Sequence, residues 1–463
     1  MLLTFIAIYL LGTLFIGWFA SKFVKTANDF AVAGRKMPTY VVASALFATW
    51  FGSETVMGAS SEFVENGLLG VIEDPFGASL CLLLIGLFFA RPLYKLNILT
   101  FSDYFSIRYD KKVEWISALF LIPSYFSWIA AQLVALAIVL QAIAGIPFVY
   151  GVLICASVVV FYTYVGGMWS VAITDTIQTA IIIVGMLILM FEMVGAIGGW
   201  GQIIEKTPPE FFRVIPKDQT ALSWITYFGA WITIGWGSIP QQDVFQRVLS
   251  AKSEKVAVRG AYWSAFMYLS IACMPLVIAL CGTLLYPDIK QGDTQMTIPF
   301  LVLHHSGLGM QILFFGALLS AILSTCSGAI LAPATVVGEN LLKPLYGEKI
   351  SDKRLLHIMR LSVIGITIVS VGLSLYKAEI YELVGESSSL SLVALFIPLV
   401  AGLYWKRASA LGAILSMVGG TATWLILEFY PTEIPSIIWG LLASITGMLV
   451  GSFIKKNGKI HIG

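Results

Sequence analysis

The residues from Ser44 to Thr55 carry the chemical groups that most restrict what this chain can do. A glycine, several hydroxyls and the carboxyl group of Glu54 lie within an apolar run that would otherwise form an unbroken helix. In a bilayer, the backbone leaves the helix only where protein or a water-filled cavity satisfies its N–H and C=O groups. A second such segment, at 235–241, contains two glycines, a serine and a proline. Two interrupted helices in different halves of a chain are typical of secondary transporters with a central binding site.

A pair of adjacent hydroxyl residues, Ser324 and Thr325, lies in another apolar run. Such a pair, together with carbonyls released by a broken helix, offers hard oxygen ligands for a cation without adding a fixed charge. The alternative is that both hydroxyls bond back to carbonyls one turn earlier on their own helix, as serines commonly do in membrane helices. The local sequence leaves both interpretations open.

Three further carboxyl groups lie in apolar surroundings. Glu73 and Asp74 are adjacent near the start of one run. Ionisable residues inside a membrane are costly and are therefore functional candidates, although this pair would be hydrated and uninvolved if it lay at the outer interface. Asp175 follows a Gly-Gly segment that predicts a turn. A carboxylate near a helix N-terminus is favoured by the helix dipole, so capping is the alternative to a role in ion binding.

The composition indicates which elements position these groups. The chain has 463 residues, of which 58% are hydrophobic and only 12% are charged. A soluble domain has about 25% charged residues, so the predicted fold class is an all-α integral membrane protein. Crossing a roughly 30 Å hydrocarbon core takes about 20 residues, and about thirteen apolar runs of that kind recur. They lie at 3–21, 38–62, 71–90, 114–143, 147–165, 170–195, 222–245, 259–284, 308–336, 358–376, 381–404, 409–429 and 435–454.

The distribution of basic residues predicts the orientation of these helices. With the N-terminus outside, most of the 28 Lys and Arg residues fall in cytoplasmic segments, including Arg108, Arg247 and the tail at 455–463. The residues left outside are Lys206, Arg213, Lys217, Lys290 and Lys377. Because cytoplasmic loops are enriched in Lys and Arg, we expect an outside N-terminus and a cytoplasmic C-terminus.

The two interrupted segments also divide the chain. Each begins a predicted unit of five helices, and the second unit starts on the opposite side of the membrane because five is odd. This arrangement predicts two inverted repeats whose first helices are broken. The predicted divisions are 1–37 (an extra helix and a cytoplasmic loop), 38–200 (first repeat), 201–221 (an extracellular loop), 222–405 (second repeat) and 406–463 (two helices and a short tail).

Several other classes of function lack sequence support. The five cysteines have no CxxC spacing, so we expect neither a disulfide nor a metal site built on them. No basic domain interleaved with aromatic residues predicts a nucleic-acid partner, and no obligate protein partner is evident. A Gly-x-Ser-x-Gly serine would favour an intramembrane enzyme, and none occurs. No carboxylate follows the pair His304-His305 at zincin spacing, so we interpret these two as surface histidines. A passive channel stays as the alternative of a different class.

Four segments, in this order, resemble the sodium/solute symporter family. They are 48–54 (ATWFGSE), 162–168 (YTYVGGM) with 174–178 (TDTIQ), 245–252 (FQRVLSAK) and 321–327 (AILSTCS). The resemblance covers about residues 5–455. It implies the leucine-transporter-type fold, a multi-pass location in the cell membrane, and co-transport of sodium with a small organic solute. Within the family, the segment at 239–249 is most similar to animal high-affinity choline carriers.

The resemblance also implies the residues of an ion site. The sodium ligands would be the carbonyls of Ala48, Phe51 and Ala321 and the hydroxyls of Ser324 and Thr325. Asp175 matches an acid that lies near a second sodium site or the inward exit of the ion.

A substrate site between the two broken helices is implied as well. Its residues would be Trp50, Glu54, Thr55, Asp74 and Gln241. Trp50 matches one wall of the aromatic cage with which choline carriers surround a quaternary ammonium. Gln241 and Ala78, however, stand where two other aromatic walls would be. The pocket is therefore expected to suit a polar or amine-bearing solute, with choline or another quaternary amine as the alternative.

The charge pattern can be tested by fusing reporters after Gly463. A fluorescent protein at this position should fold and fluoresce in the cytoplasm, because the C-terminus is expected inside. A reporter that is active only outside the cytoplasm should be silent at the same position. The reverse pattern would mean that the helix count is wrong by an odd number.

Overall fold

The computed structural model describes residues 2–22, 24–346 and 350–454. Within these ranges the chain forms helices joined by short connections and contains no β-strand. This result confirms the all-α prediction and follows from the bilayer, in which a helix satisfies its backbone groups internally. Lys349 and the tail after 454, which the charge pattern puts in the cytoplasm, lie outside the described residues.

The helices follow one another closely along the chain. The first half contains α1 (Leu2–Ser21), α2 (Ala27–Val32), α3 (Thr39–Ala48), α4 (Ala59–Gly70), α5 (Ala78–Leu84), α6 (Ala90–Lys95), α7 (Phe101–Arg108), α8 (Lys111–Ala144), α9 (Phe148–Ile197), α10 (Trp200–Lys206), α11 (Ala221–Gly237) and α12 (Gln242–Leu249). The second half contains α13 (Glu254–Ile271), α14 (Cys273–Leu285), α15 (Thr297–His305), α16 (Leu308–Val336), α17 (Lys343–Tyr346), α18 (Asp352–Tyr376), α19 (Ile380–Ser391), α20 (Ile397–Tyr404), α21 (Ala410–Phe429) and α22 (Ser436–Ile454). Wider, π-type turns occupy Glu54–Gly58, Ile72–Gly77, Ile85–Phe89, Val337–Leu342 and Leu392–Phe396, and short 3-10 turns occupy Ala33–Arg35, Pro209–Phe212, Pro287–Gln291 and Thr294–Met296.

Membrane-spanning candidates account for most of these helices. In the described part of the chain, 9 continuous helical stretches are long and apolar enough to cross a bilayer. They are Ile72–Lys95, Lys111–Ala144, Met168–Ile197, Glu254–Leu285, Leu308–Tyr346, Asp352–Tyr376, Ile380–Tyr404, Ala410–Phe429 and Ser436–Ile454. Each predicted apolar run overlaps a helix, but the count of thirteen spans and the inverted repeats stay predictions.

The long helix α9 must bend sharply near its middle. The hydroxyls of Tyr162 and Thr174 lie 2.6 Å apart although 12 residues separate them in sequence. A straight helix would separate those residues by about 18 Å along its axis. The bend therefore falls between Tyr162 and Thr174, the interval in which the predicted apolar run 147–165 ends and the run 170–195 begins.

Both predicted interruptions are present. Helix α3 ends at Ala48, and four residues of turn precede the next helical residue, Ser53. Helix α11 ends at Gly237, and α12 begins at Gln242. Helix α12, which follows the second interruption, packs on α3, which precedes the first. It also packs on α16.

Helix α16 forms the centre of the bundle. In the apolar part of the stretch that contains α16, 89% is buried within the protein, compared with 39% in the apolar parts of α21 and α22. Helices α8, α9 and α18 pack around it, so polar groups on α16 are shielded from lipid on several sides.

Gly237 allows the second interruption to pack tightly. A Cβ atom at this position would clash with the carbonyl oxygen of Ser388 and would lie 3.2 Å from the Cβ atom of Leu392. Because backbone cannot move aside as a side chain can, we expect Gly237→Ala to lower the free energy of unfolding by about 1–3 kcal/mol. Thermal unfolding in detergent measures the effect. Gly365→Ala on α18 is the matched control, since nothing lies within 4 Å of its added Cβ. Equal melting temperatures for the two variants would contradict this packing.

Candidate functional site

The first interruption releases a carbonyl that a hydroxyl from α16 then contacts. In an unbroken helix, the N–H of Gly52 would bond to the carbonyl of Ala48. Here Gly52 N donates to Trp50 O at 3.0 Å instead. Thr325 Oγ1 donates to Ala48 O at 2.8 Å. Two of the five predicted sodium ligands therefore lie side by side. Phe51 is buried in the same turn, and Ala321 lies one turn before Thr325 on α16.

The neighbouring hydroxyl, that of Ser324, contacts α9 instead of α3. Ser324 Oγ donates to Asp175 Oδ1 at 2.5 Å and lies 3.2 Å from Thr174 Oγ1. The described bonds of both hydroxyls thus reach other helices and not carbonyls of α16. Asp175 lies within α9, fully buried, and its carboxylate contacts side chains of other helices. The described contacts of the Asp175 carboxylate are thus to Ser324 and Arg247, and its role in ion binding stays a prediction.

A buried arginine connects this region to both interruptions. Arg247 is 1% exposed. Its Nε donates to the carbonyl of Ala45 on α3 at 3.0 Å. Its terminal nitrogens lie 3.7 Å from Asp175 Oδ2 and 3.8 Å from Asp243 Oδ2. The expectation that Arg247 occupies a cytoplasmic loop is wrong, and Arg108 is likewise buried, with bonds to the carbonyls of Gly402 and Trp405. Both lie near the C-terminal ends of short helices, α7 and α12, where the charge pattern alone does not distinguish a loop from a core.

Asp74 and Thr55 form a closed triangle with Tyr268 of α13. Thr55 Oγ1 donates to Asp74 Oδ2 at 2.8 Å, and Tyr268 OH donates to Asp74 Oδ1 at 2.7 Å. The two hydroxyl oxygens lie 2.5 Å apart. The ring of Trp50 packs edge-on to Tyr268, with ring centroids 6.2 Å apart. Three predicted substrate residues are thus brought together, and both oxygens of Asp74 are already bonded to protein.

Glu54 is in the opposite situation. It is 1% exposed, and neither carboxylate oxygen has a hydrogen-bond partner in the described part of the chain. Asp74 and Asp243 lie close enough for charge interaction, and the indole of Trp128 approaches the carboxylate without hydrogen-bonding geometry. Buried polar groups are normally bonded, so an exception of this kind needs an explanation.

Further unpartnered groups come from α8 and the second interruption. Trp128 Nε1 and both amide atoms of Gln132 are buried without a partner among the described residues. These side chains are four residues apart and so share one face of α8. Gln241 Oε1, at the start of α12, is also buried without a hydrogen-bond partner among the described residues. One turn before Trp128, Tyr125 OH donates to Asp243 Oδ1 at 2.5 Å and so joins α8 to α12.

The surroundings of Glu73 differ from those of its neighbour Asp74. It lines an open pocket of about 460 Å³ with Lys377, Glu382, Glu386 and Glu428. Lys377 lies 2.5 Å from Glu386 Oε1 and 2.9 Å from Glu382 Oε2. Burial alone would lower the pKa of Lys377, but these two carboxylates outweigh it and raise that pKa. Glu73 is thus half-buried beside this pocket whereas Asp74 is fully buried, and a hydrated, uninvolved Glu73 stays one of its two interpretations.

Sequence reasoning missed several residues of this region, namely Tyr125, Trp128, Gln132, Asp243, Arg247 and Tyr268. A signal existed for the first three. Polar or amphipathic residues recur at 125, 128 and 132 in an apolar run, which puts them on one helix face. Tyr268 gave no comparable signal, because its importance depends on a contact with Asp74 that is remote in sequence.

Comparison with known proteins identifies the group to which this arrangement belongs. Residues 30–420 match the sequence profile of the Sodium:solute symporter family. The chain belongs to this family. It is therefore a multi-pass transporter of the sodium-coupled symporter type and not an enzyme, as the resemblance implied.

Individual relatives and structures agree with this assignment. The chain is 29% identical to the high-affinity choline transporter 1 of Torpedo marmorata, over 90% of this chain and 74% of that protein. It is 24% identical to the sodium/glucose cotransporter of Vibrio parahaemolyticus, over 94% of this chain and 86% of that protein. A solved Na⁺-coupled sialic acid symporter in a substrate-bound, outward-open state has the same fold, with a TM-score of 0.83, 20% identity, and 99% and 98% of the two chains covered.

The ion site can be tested by removing its two hydroxyls. The double variant Ser324→Ala/Thr325→Ala deletes two proposed oxygen ligands and leaves helix propensity nearly unchanged. Half-saturating sodium for transport or for thermal stabilisation should rise at least several-fold. Ser157→Ala/Ser270→Ala is the control, since those hydroxyls are exposed and bond only to their own helices. Unaltered sodium dependence in the first variant would refute the site.

Proposed function

We propose that this transporter carries a small solute with a primary or secondary ammonium group, driven by sodium, and that Glu54 is the anchor for that group. The observation that carries the proposal is the pair of buried, unpartnered carboxylate oxygens of Glu54 at the first interruption. Leaving a charged acceptor buried and unbonded is costly. A substrate cation with N–H donors would satisfy both the charge and the hydrogen bonds.

The surrounding groups define the rest of the solute. Trp128 and Gln132 have buried donors without partners in the described residues, and Gln241 has a free acceptor. A ligand that bears an acceptor, such as a hydroxyl or carboxylate, beside its ammonium group would match this set. The aromatic rings of Trp50 and Trp128 would pack against the ammonium or its carbon skeleton. Asp74, whose oxygens are bonded to Thr55 and Tyr268, would position the wall of the site instead of binding substrate directly.

Choline is a second candidate, because a choline transporter is among the relatives. Its quaternary ammonium has no N–H donors, so it would leave the oxygens of Glu54 without strong hydrogen bonds. Gln241 and Ala78 also stand where the resemblance to choline carriers implies two aromatic walls of the cage. Glucose, the solute named for another relative, carries no charge and would leave Glu54 uncompensated.

For the ion, we propose the site that the resemblance implies. Ala48, Phe51 and Ala321 would supply carbonyls, and Ser324 and Thr325 would supply hydroxyls. Support comes from the contact of Thr325 with Ala48, which lies at the released carbonyl of the first interruption. Asp175 would compensate the charge of the ion from the far side of Ser324, to which it is bonded.

The transport cycle follows from these two sites. Sodium would hold the interrupted helix α3 against α16, complete the substrate site, and permit the change to the inward-facing state. Two inverted five-helix units, with the N-terminus outside, would provide the moving parts. One charge crossing 100 mV contributes about 2.3 kcal/mol, which supports roughly fifty-fold accumulation.

A ligand panel with the variant Glu54→Gln tests the proposed substrate class. Proline (a secondary ammonium), choline and glucose would be compared by thermal shift with and without sodium. Proline or a similar amine should stabilise the wild type in sodium, and Glu54→Gln should weaken this binding by about 10- to 100-fold, the effect of losing a hydrogen bond to a charged group.

Two controls separate a local effect from misfolding. Stabilisation by sodium alone should persist in Glu54→Gln, because the proposed sodium ligands are unchanged. Glu205→Gln alters an exposed carboxylate on α10 and should bind like the wild type. Wild-type affinity for an amine in Glu54→Gln, or preferential binding of glucose, would refute the assignment.

A further inference from the structure

A groove between α6, α13 and α20 combines cations with aromatic and apolar surface. Its volume is about 560 Å³, and its lining includes Leu87, Phe88, Arg91, Lys95, Tyr262 and Tyr404. No step of the proposed transport cycle uses it. We propose that this groove binds an anionic phospholipid, with the phosphate held by Arg91 and Lys95 and the acyl region lying against the apolar residues.

Apolar residues and cations follow one another along this segment in the order that a lipid requires, with the acyl region beside the apolar residues and the phosphate beside the cations. Leu87, Arg91 and Lys95 recur every four residues and therefore follow one helix face. Leu87 is 52% exposed and Phe88 is 49% exposed, so lipid-facing apolar surface precedes the first cation by one turn. The apolar stretch Ile72–Lys95 ends at Lys95, which places the cations at the boundary between hydrocarbon and water.

The cations retain free capacity to bind an anion. Arg91 uses its Nε to contact Glu254 Oε1 at 2.9 Å. Its two terminal nitrogens have no hydrogen bond to the described protein. Lys95 Nζ is 3.9 Å from Glu254 Oε2, which is longer than a hydrogen bond. Two cations thus share one carboxylate. A phosphodiester would neutralise the remaining charge and accept paired hydrogen bonds from the guanidinium.

The walls of the groove are built by specific contacts. Gly86 permits the ring of Tyr262 to approach, since a Cβ there would lie 2.7 Å from two ring carbons. Tyr404 OH donates to the carbonyl of Phe88 at 2.5 Å, at the end of a π-type turn. These contacts hold two aromatic rings beside the cations, an arrangement typical of a membrane interface.

Charge and shape together favour a lipid over a soluble anion. The basic residues Lys255, Arg259, Lys406 and Arg407 lie on α13 or directly after α20, so the region as a whole attracts anions. Basic pockets between membrane helices bind anionic headgroups in this way. A soluble anion would use the cations and gain nothing from Leu87 and Phe88.

The test compares nanodiscs of phosphatidylglycerol with nanodiscs of phosphatidylcholine. Wild-type protein should have a higher melting temperature in phosphatidylglycerol, and native mass spectrometry should retain bound phosphatidylglycerol. In Arg91→Gln/Lys95→Gln, affinity for this lipid should fall about 25-fold, the effect of two basic residues at a membrane surface. The melting temperature in phosphatidylcholine should change little, because Arg91 and Lys95 pair only with a partly exposed Glu254.

A second cationic pair provides the matched control. Lys111→Gln/Lys112→Gln also removes two basic residues, of which Lys111 pairs with Glu114, but outside the groove. It should keep the preference for phosphatidylglycerol. If the double variant at the groove does not fold, Lys95→Gln alone should still reduce lipid retention. Among the described residues, Glu254 is the carboxylate paired with Lys95, and it lies 3.9 Å from Lys95 Nζ.

Three results would overturn the proposal. The first is equal stability of the wild type in both lipids. The second is an equal loss in the groove variant and in the control, which would indicate general surface charge. The third is equal protection by soluble glycerol phosphate, which would indicate a simple anion site.

Discussion

Burying charge away from water is costly unless each charge is paired and hydrogen-bonded, and the interior of this symporter must meet that requirement. Glu54, Asp74, Asp175 and Asp243 are all buried at the meeting point of the interrupted helices. A buried cation, Arg247, faces two of these acids, Asp175 and Asp243. Each carboxyl group meets the requirement differently, and those differences separate the structural acids from the candidates for ligand binding.

Asp74 and Asp243 are satisfied mainly by tyrosine hydroxyls. Tyr268 and Thr55 bond both oxygens of Asp74, while Tyr125 bonds one oxygen of Asp243. Asp175 divides its oxygens between Ser324 and Arg247. Glu54 alone among these acids has no bond to protein in the described residues. A transporter that accepts a sodium ion beside Asp175 and an ammonium group beside Glu54 would complete the compensation, and this explains why ion and solute should bind together.

Arg247 also connects the two ends of the site mechanically. It contacts the carbonyl of Ala45 one turn before the first interruption, Asp175 beside the proposed ion, and Asp243 beside the second interruption. A displacement at one of these partners changes the geometry at the others. Gly328 on α16 leaves room for the guanidinium, since a Cβ there would lie 2.7 Å from Arg247 Nη2.

Much of the fold was predictable from the sequence because the bilayer restricts backbone structure so strongly. Apolar length gave the helices, and polar residues at membrane depth revealed both interruptions. The bend in α9 between Tyr162 and Thr174 was also predictable, because the sequence separates the apolar runs 147–165 and 170–195. Contacts between helices were harder to predict from the sequence. Nothing local distinguishes Asp74, whose two oxygens accept hydrogen bonds from Tyr268 and Thr55, from Glu54, whose oxygens have no hydrogen-bond partner among the described residues. Arg247 was placed in a loop because a count of charges cannot show that a side chain turns into the core.

Energetic coupling between sodium and the amine can be measured by thermal shift. The melting temperature is compared with sodium alone, with the amine alone, and with both. Coupled sites must show reciprocal enhancement, so the shift with both ligands should exceed the sum of the separate shifts. Gly328→Ala, which displaces Arg247, should reduce this excess, while Gly365→Ala should not. Shifts that simply add in the wild type would show that sodium and the amine bind independently.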